Sequence, residues 1–288
     1  MDIQRYKLPA DDERTQLRDG VVRALKAVPM HFTSSINIEG LSAIDLFAMN
    51  TLLGGAIEEQ TVATLNATRA IWDSEGKWAD YEFRRYAESF PDVRLESESS
   101  SAPAIGIELK GWYLLAKEEM PSFRFKASAN AMTVWDLIAV FPWSLSNVIS
   151  GTPILTAPYI EQAKYAADLR TNYWENRSPK AKHVEHPDTH PYPEPGSSYS
   201  DIVVDDKGGN FGRIARITGL MDEWVEETMK TKLSGIEARW WVRFLKLFDE
   251  RGDEESITDG IKKLASSIGR DDKWVEDVMS HVRGLMQL

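Results

Sequence analysis

Cysteine is absent from all 288 residues, which excludes disulfides and thiolate metal sites. No apolar run approaches the length needed to cross a membrane. The opening MDIQRYKLPADDERTQ has no apolar signal region, so the expectation is a cytoplasmic protein. Positive charge is also scarce, with 34 Lys and Arg against 45 Asp and Glu, a net charge of −11. That balance counts against a simple nucleic-acid binder, because phosphate contacts need a cationic surface. It does not exclude an enzyme that gathers its lysines and arginines in one cleft. Aromatic residues are plentiful, including ten tryptophans, as in a chain that folds around a core. The length allows one large domain or two.

The most informative stretch is Phe90 to Trp112, FPDVRLESESSSAPAIGIELKGW. It reads as two strands joined by a loop. Ile105, Ile107 and Leu109 alternate with Gly106, Glu108 and Lys110, and side chains two apart on a strand share a face. Glu108 and Lys110 are therefore expected to point together, away from the buried aliphatic side. On the first strand Val93 and Leu95 alternate with Asp92, Arg94 and Glu96, so Asp92 also leaves the apolar side. Paired strands would bring two carboxylates and one ammonium together. Such oxygens suit a hard cation that takes only one or two protein carboxylates and keeps several waters.

Pro91-Asp92 followed by Glu108-x-Lys110 resembles the PD-(D/E)xK nuclease superfamily, and within it the type II restriction endonucleases. The resemblance covers roughly residues 41 to 175, about one ordinary domain. It implies an α/β fold, a mixed β-sheet flanked by helices, with Asp92 and Glu108 as Mg2+ ligands and Lys110 helping to activate water. It also implies an extra acid on the helix before the sheet, for which Glu58 is the candidate. Double-stranded DNA would be the substrate, and a companion DNA methyltransferase would protect the host's own DNA. Cutting both strands of a palindrome is most simply done by a homodimer, whose two-fold axis matches that of the site.

The acid-x-lysine pattern recurs at Glu75-x-Lys77, Asp205-x-Lys207 and Asp271-x-Lys273. Pro187-Asp188 before Asp205-x-Lys207 is a second full match. Asp188 lies among Pro187, Pro191, Pro193 and Pro195, where an interior strand cannot form, so the Glu108 copy is preferred.

Along the chain, a short helix is expected over Gln16 to Ala27, with an extended piece at His31 to Ile38. A long helix should run from an N-cap at Ser42 to about Trp72. Asn50, Leu53, Gly54, Ile57, Thr61, Thr64, Leu65 and Thr68 fall on one side of it at helical spacing, with Glu58 just past the stripe's edge and Glu59 nearly opposite. Strands are expected at Tyr81 to Tyr86, Trp112 to Ala116, Pro121 to Lys126 and Ile138 to Phe141, and a helix at Tyr159 to Trp174. Strands and helices mixed in this way indicate an α/β layer architecture. Ser178 to Ser200 is rich in Pro, His and Ser and reads as a long loop. His183, His186 and His190 there offer a weak metal pattern, whereas Lys180, Lys182 and the tyrosines would suit a DNA contact.

The last third reads as helical, with Ala238 to Phe248 as a buried helix. Asp222-Glu223-Trp224-Val225 lines up with Asp272-Lys273-Trp274-Val275. Ala215, Gly219 and Val225 repeat the spacing of Ala265, Gly269 and Val275, as in a helix-turn-helix. Their second helices are acidic, so packing or dimerisation is expected rather than DNA reading. The chain thus divides into residues 1–176 with an N-terminal arm and an α/β core, a loop region 177–212, and a helical region 213–288. The expected function is a Mg2+-dependent, sequence-specific DNA endonuclease that hydrolyses phosphodiester bonds. The rival is a non-catalytic helical interaction protein or DNA-associated regulator.

Overall fold

The computed structural model describes residues 3–40, 53–87, 89–177, 189–204, 206, 210–246 and 254–286, and the backbone of 182–184. Its centre is a six-stranded mixed sheet: β1 (Glu82–Arg85), β2 (Val93–Glu96), β3 (Ile105–Tyr113), β4 (Leu137–Leu145), β5 (Pro153–Leu155) and β6 (Tyr159–Gln162). The first three strands form an antiparallel meander, and β4 lies parallel to β3. Both β5 and β6 pair with β4, one with each half of it, so together they complete that edge.

One face of the sheet carries Phe83, Val93, Leu95, Ile105, Ile107 and Leu109, all buried. Helices α1 (Glu13–His31), α2 (Gly54–Ala67) and the single turn α3 (Arg69–Trp72) cover it. Trp72 meets Phe83 edge-on at 5.1 Å, and Asn66 exchanges two hydrogen bonds with the Phe83 backbone. Gly111 leaves room for Ile57, whose Cδ1 would stand 3.2 Å from a Cβ there. The opposite face carries Arg94, Gly106, Glu108, Lys110 and Trp112, as strand alternation requires. It is roofed by residues 189–201 and 211–224, with Trp224 packed on Trp112 and Tyr159. Helix α4 (Ala163–Arg177) is tied to that roof through Arg170, which bonds the Phe125 and Ala127 carbonyls and the Asp201 carboxylate.

Beyond the sheet lie α5 (Asp222–Thr228), α6 (Ala238–Leu245), α7 (Glu254–Ser267) and α8 (Asp272–Met286), giving eight helices among the described residues. Two short two-stranded ribbons join them, β7 (Lys182–Val184) with β8 (Ile202–Val204), and β9 (Lys232–Leu233) with β10 (Ile236–Glu237). Residues 214–245 contribute Ile214, Leu220, Met229 and Val242 to the same core as the sheet. By contrast α7 and α8 bury Ile257, Ile261, Val275 and Met279 against each other in a separate small core.

Several elements differ from the sequence reading for identifiable reasons. The described part of the long helix is broken at Thr68, whose hydroxyl bonds the Thr64 carbonyl and competes with the helical ladder. Ser42 and Asn50 lie outside the described residues. Tyr159 to Gln162 is strand, not the start of a helix, because it supplies the missing partner for the edge of β4. Pro121 to Lys126 forms no strand. Its main chain is bonded singly, Phe125 N–H to the Gly212 carbonyl and Lys126 carbonyl to Asp201 N–H. Strand β3 ends at Tyr113, and Leu114 begins a turn. In the first half of the repeat, Ala215 sits in a 3-10 turn, Ile214–Arg216, so only the second half forms a helix-turn-helix, with Gly269 at φ 67° between α7 and α8. No described helix is long and apolar enough to cross a membrane.

Candidate active site

The meander brings Asp92, Glu108 and Lys110 together. Pairing between β2 and β3 aligns Val93 with Ile107, which leaves Asp92 at the end of β2 facing the Glu108 position. The Asp92 carboxylate accepts the Leu109 N–H at 2.7 Å, closing a gap in the ladder with a side chain. On the other edge of β3, Asp136 does the same for Gly106 N–H, also at 2.7 Å. The Phe90–Pro91 peptide is cis.

Lys110 sits between the two acids. Its Nζ donates to Glu108 Oε1 at 2.6 Å and lies 3.8 Å from Asp92 Oδ2. The three side chains are 11–21% exposed, so the cluster is largely shielded without being sealed. Glu108 Oε2 is buried and has no hydrogen-bond partner among the described residues. A buried carboxylate oxygen without a donor is costly, which makes it the open valence of the cluster.

Electrostatics follow from this crowding. Burial pushes the Asp92 carboxyl well above the usual carboxylate range, and the Glu108 charge adds to that. Lys110 and the Leu109 N–H oppose the shift without cancelling it. For Lys110 burial favours loss of the proton, but Glu108 and Asp92 outweigh it and hold the ammonium above its ordinary value. Lys110 is therefore held as an ammonium between the two carboxylates.

Glu58, on α2, is partly buried, whereas Glu59 is exposed. It pairs with Arg85 at 2.8 Å, and its charge acts on both Asp92 and Lys110. Tyr199, one of the loop tyrosines expected to suit a DNA contact, was not expected beside the acids. Its ring packs on Phe90 at 5.5 Å, and its hydroxyl is raised above its ordinary pKa first by burial and then by Glu108 and Asp92. Buried Arg94 donates to the Phe90 and Pro193 carbonyls and so joins the site's shoulder to the proline-rich roof. The only sequence signal for either was position, one at the end of the loop and one on the polar side of β2.

The competing motifs resolve differently. Glu75 and Lys77 pair in an exposed turn at 3.1 Å. Asp271 accepts the Trp274 N–H and starts α8. Asp188, Asp205 and Lys207 lie outside the described residues, as do His186 and Lys180, and the side chains of Lys182 and His183. His190 is exposed and bonds only the next carbonyl among the described residues.

Among the described residues no group of three or more His, Cys, Asp or Glu is placed to hold a metal. The cluster is two carboxylates and an ammonium. That donor set fits a hard divalent cation that keeps most of its waters. It does not fit zinc, which takes four protein ligands in structural sites and three in catalytic ones. The chain matches no protein-family model and no curated protein.

Proposed function

We propose that the protein is a Mg2+-dependent double-stranded DNA endonuclease of the type II restriction kind. The observation that carries this reading is the buried, unpartnered Glu108 Oε2 beside Asp92, with the Lys110 ammonium on the same strand face. The sheet supports it too, since an acid just ahead of β2 and an acid-x-lysine on β3 lie next to each other in an antiparallel meander joined to a parallel β4. A restriction-endonuclease-like core is the finer description of the α/β fold that we infer from this arrangement.

In this reading Asp92 and Glu108 hold Mg2+. The bound ion supplies positive charge for the phosphoryl oxygens and lowers the pKa of a coordinated water. Lys110 keeps its proton, orients the attacking water by a hydrogen bond and steadies the charge that grows on the phosphate. Water adds to phosphorus, one P–O ester bond breaks, and the leaving oxygen takes up a proton. Glu58 acts through its charge, at the edge of the cluster, as the auxiliary acid. Action as a homodimer on a palindrome, paired with a protective DNA methyltransferase, completes the proposal.

The test is incubation of a mixed-sequence, unmethylated plasmid with the protein, with Mg2+ or with chelator, beside Asp92→Ala and Lys110→Ala. Discrete fragments that vanish with chelator and in both variants support the reading. No cutting of diverse DNA favours the interaction-protein alternative, for which the self-contained α7–α8 hairpin is the specific feature.

A further inference from the structure

A second polar feature lies on the same roof as the site. Residues of α4 and of the segment 210–217 form a narrow crevice of about 10 Å3, roughly the room of one water, whose mouth opens to solvent. Arg170, Arg177, Arg213 and Arg216 line it with Trp174 and Phe211, and among the described residues no carboxylate does. In a chain of net charge −11 such a concentration is unusual. Arg170 is spent internally, paired with Asp201 at 2.5 Å and stacked over Phe211 at 4.6 Å. Arg177 and Arg216 are exposed, and their hydrogen-bond partners among the described residues are neutral, Tyr173 and Asn210. The Trp174 indole N–H in the wall is buried with no acceptor among the described residues. Exposed guanidinium charge beside an unmet donor calls for an anion with several acceptor oxygens.

The crevice also connects to the candidate site. Phe90, two residues before Asp92, packs on Phe125 at 6.4 Å, and Phe125 exchanges a main-chain hydrogen bond with Gly212, between Phe211 and Arg213.

We propose that this crevice grips a backbone phosphate of duplex DNA, with Arg177 and Arg216 as the contacts, while the strand lies across Asp92, Glu108 and Lys110. The identity of the DNA as a substrate rests on the nuclease reading; the phosphate contact does not. Phosphate contacts position a duplex without reading its sequence, which fits a crevice built from arginines and lacking a base-sized slot.

The experiment measures binding of a fluorescent duplex by anisotropy in chelator, across a range of salt, with the full chain. Wild type, R177Q/R216Q, each single variant, Asp92→Ala and Lys230→Gln are compared, with melting curves to verify folding. The expected result is binding weakened about tenfold or more in the double variant, and a log–log salt slope shallower by about 1, since one phosphate is no longer neutralised. Each single variant gives a smaller part of that change, and Lys230→Gln matches wild type. A double variant that binds as wild type, with the same slope, overturns the proposal, as does a wild type that binds no duplex. Binding that depends on the arginines in a protein that never cuts upholds the crevice and sinks the nuclease reading instead.

Discussion

Glu75-x-Lys77 and Glu108-x-Lys110 are the same three-residue pattern in two surroundings. In both the lysine pairs with its acid, at 3.1 Å in the first and 2.6 Å in the second. The first occupies a turn, with Glu75 68% and Lys77 40% exposed, and there a second acid, the exposed Glu13, stands 3.5 Å from the lysine. The second occupies an interior strand, with Glu108 11% and Lys110 21% exposed, and a second acid stands across the ladder. The pattern by itself carries no chemistry. Since Lys77 also has a second acid nearby, desolvation and an oxygen left without a donor among the described residues are what set the β3 copy apart and underlie the proposed chemistry, because charges interact far more strongly there than in water.

The largest expected effect breaks the two copies apart. Glu108→Gln keeps the shape and removes the charge, and DNA cleavage should fall by about a hundredfold or more. Glu75→Gln should leave the rate unchanged. Lys110→Ala should also destabilise the fold, by about 3–5 kcal/mol, since it strands two like charges in a shielded site. Lys77→Ala should leave the melting temperature where it is. Equal losses of cleavage in Glu108→Gln and Glu75→Gln would mean that burial is not what separates them.

The second effect concerns what the site costs the fold. The folded state raises the Asp92 pKa, so the native protein binds this proton more tightly than the unfolded chain. The linked stability is therefore present at low pH and is lost as pH rises from the unfolded value of about 4 through the raised folded one. Asp92→Asn removes that loss while its amide oxygen can still accept the Leu109 N–H. The variant should melt close to wild type near pH 4 and be more stable on the order of 1 kcal/mol at neutral pH, with cleavage abolished. A melting difference independent of pH would remove the buried-charge account. No equivalent substitution in the exposed turn should show such a trade.

This contrast also explains how much was legible beforehand. Alternation around Val93, Leu95, Ile105, Ile107 and Leu109 was enough to place Asp92, Glu108 and Lys110 on one face of paired strands, because one side of that meander is fully buried and fixes its register. Tyr159 to Gln162 was misread as helix because its strand character comes from β4, a partner distant in sequence. Thr68 broke a helix through a side-chain hydrogen bond that periodicity does not register. The placement of Tyr199 and Arg94 against the site, and the arginine crevice, were not legible for a common reason. Each depends on contacts between segments far apart in sequence, the roof with β2 or residues 210–217 with α4, and no local pattern encodes those returns.

A third, smaller effect uses the glycine near each motif. A Cβ at Gly106 would come 2.5 Å from Pro91 Cγ and 3.0 Å from Tyr192, so Gly106→Ala must displace the residue next to Asp92. It should cost about 1–3 kcal/mol and reduce cleavage in the fraction that folds. Gly76 has open space around its Cα but φ 70°, so Gly76→Ala should cost about 1 kcal/mol through backbone strain and leave cleavage per folded molecule unchanged. Measuring both rates against the folded fraction from denaturant curves distinguishes a local shift at the site from a general loss of stability.

The smallest effect tests how far the special surroundings of β3 extend. Glu58 does not bond Lys110; it is held by Arg85 and reaches the cluster through its charge alone. Its partner offsets much of that field, so Glu58→Ala should slow cleavage by less than about tenfold, unlike the larger loss from Glu108→Gln. A through-space influence from a half-exposed pair is screened by salt, so the deficit should narrow as ionic strength rises past the point where the Debye length is about 8 Å. Removing Glu58 also frees the Arg85 guanidinium, and Glu58→Ala/Arg85→Ala should then approach the wild-type rate if the pair acts only as a near-cancelling dipole. If Glu58→Ala instead matches Glu108→Gln at every salt concentration, Glu58 contacts the reacting groups directly, and the boundary of the site must be drawn to include α2.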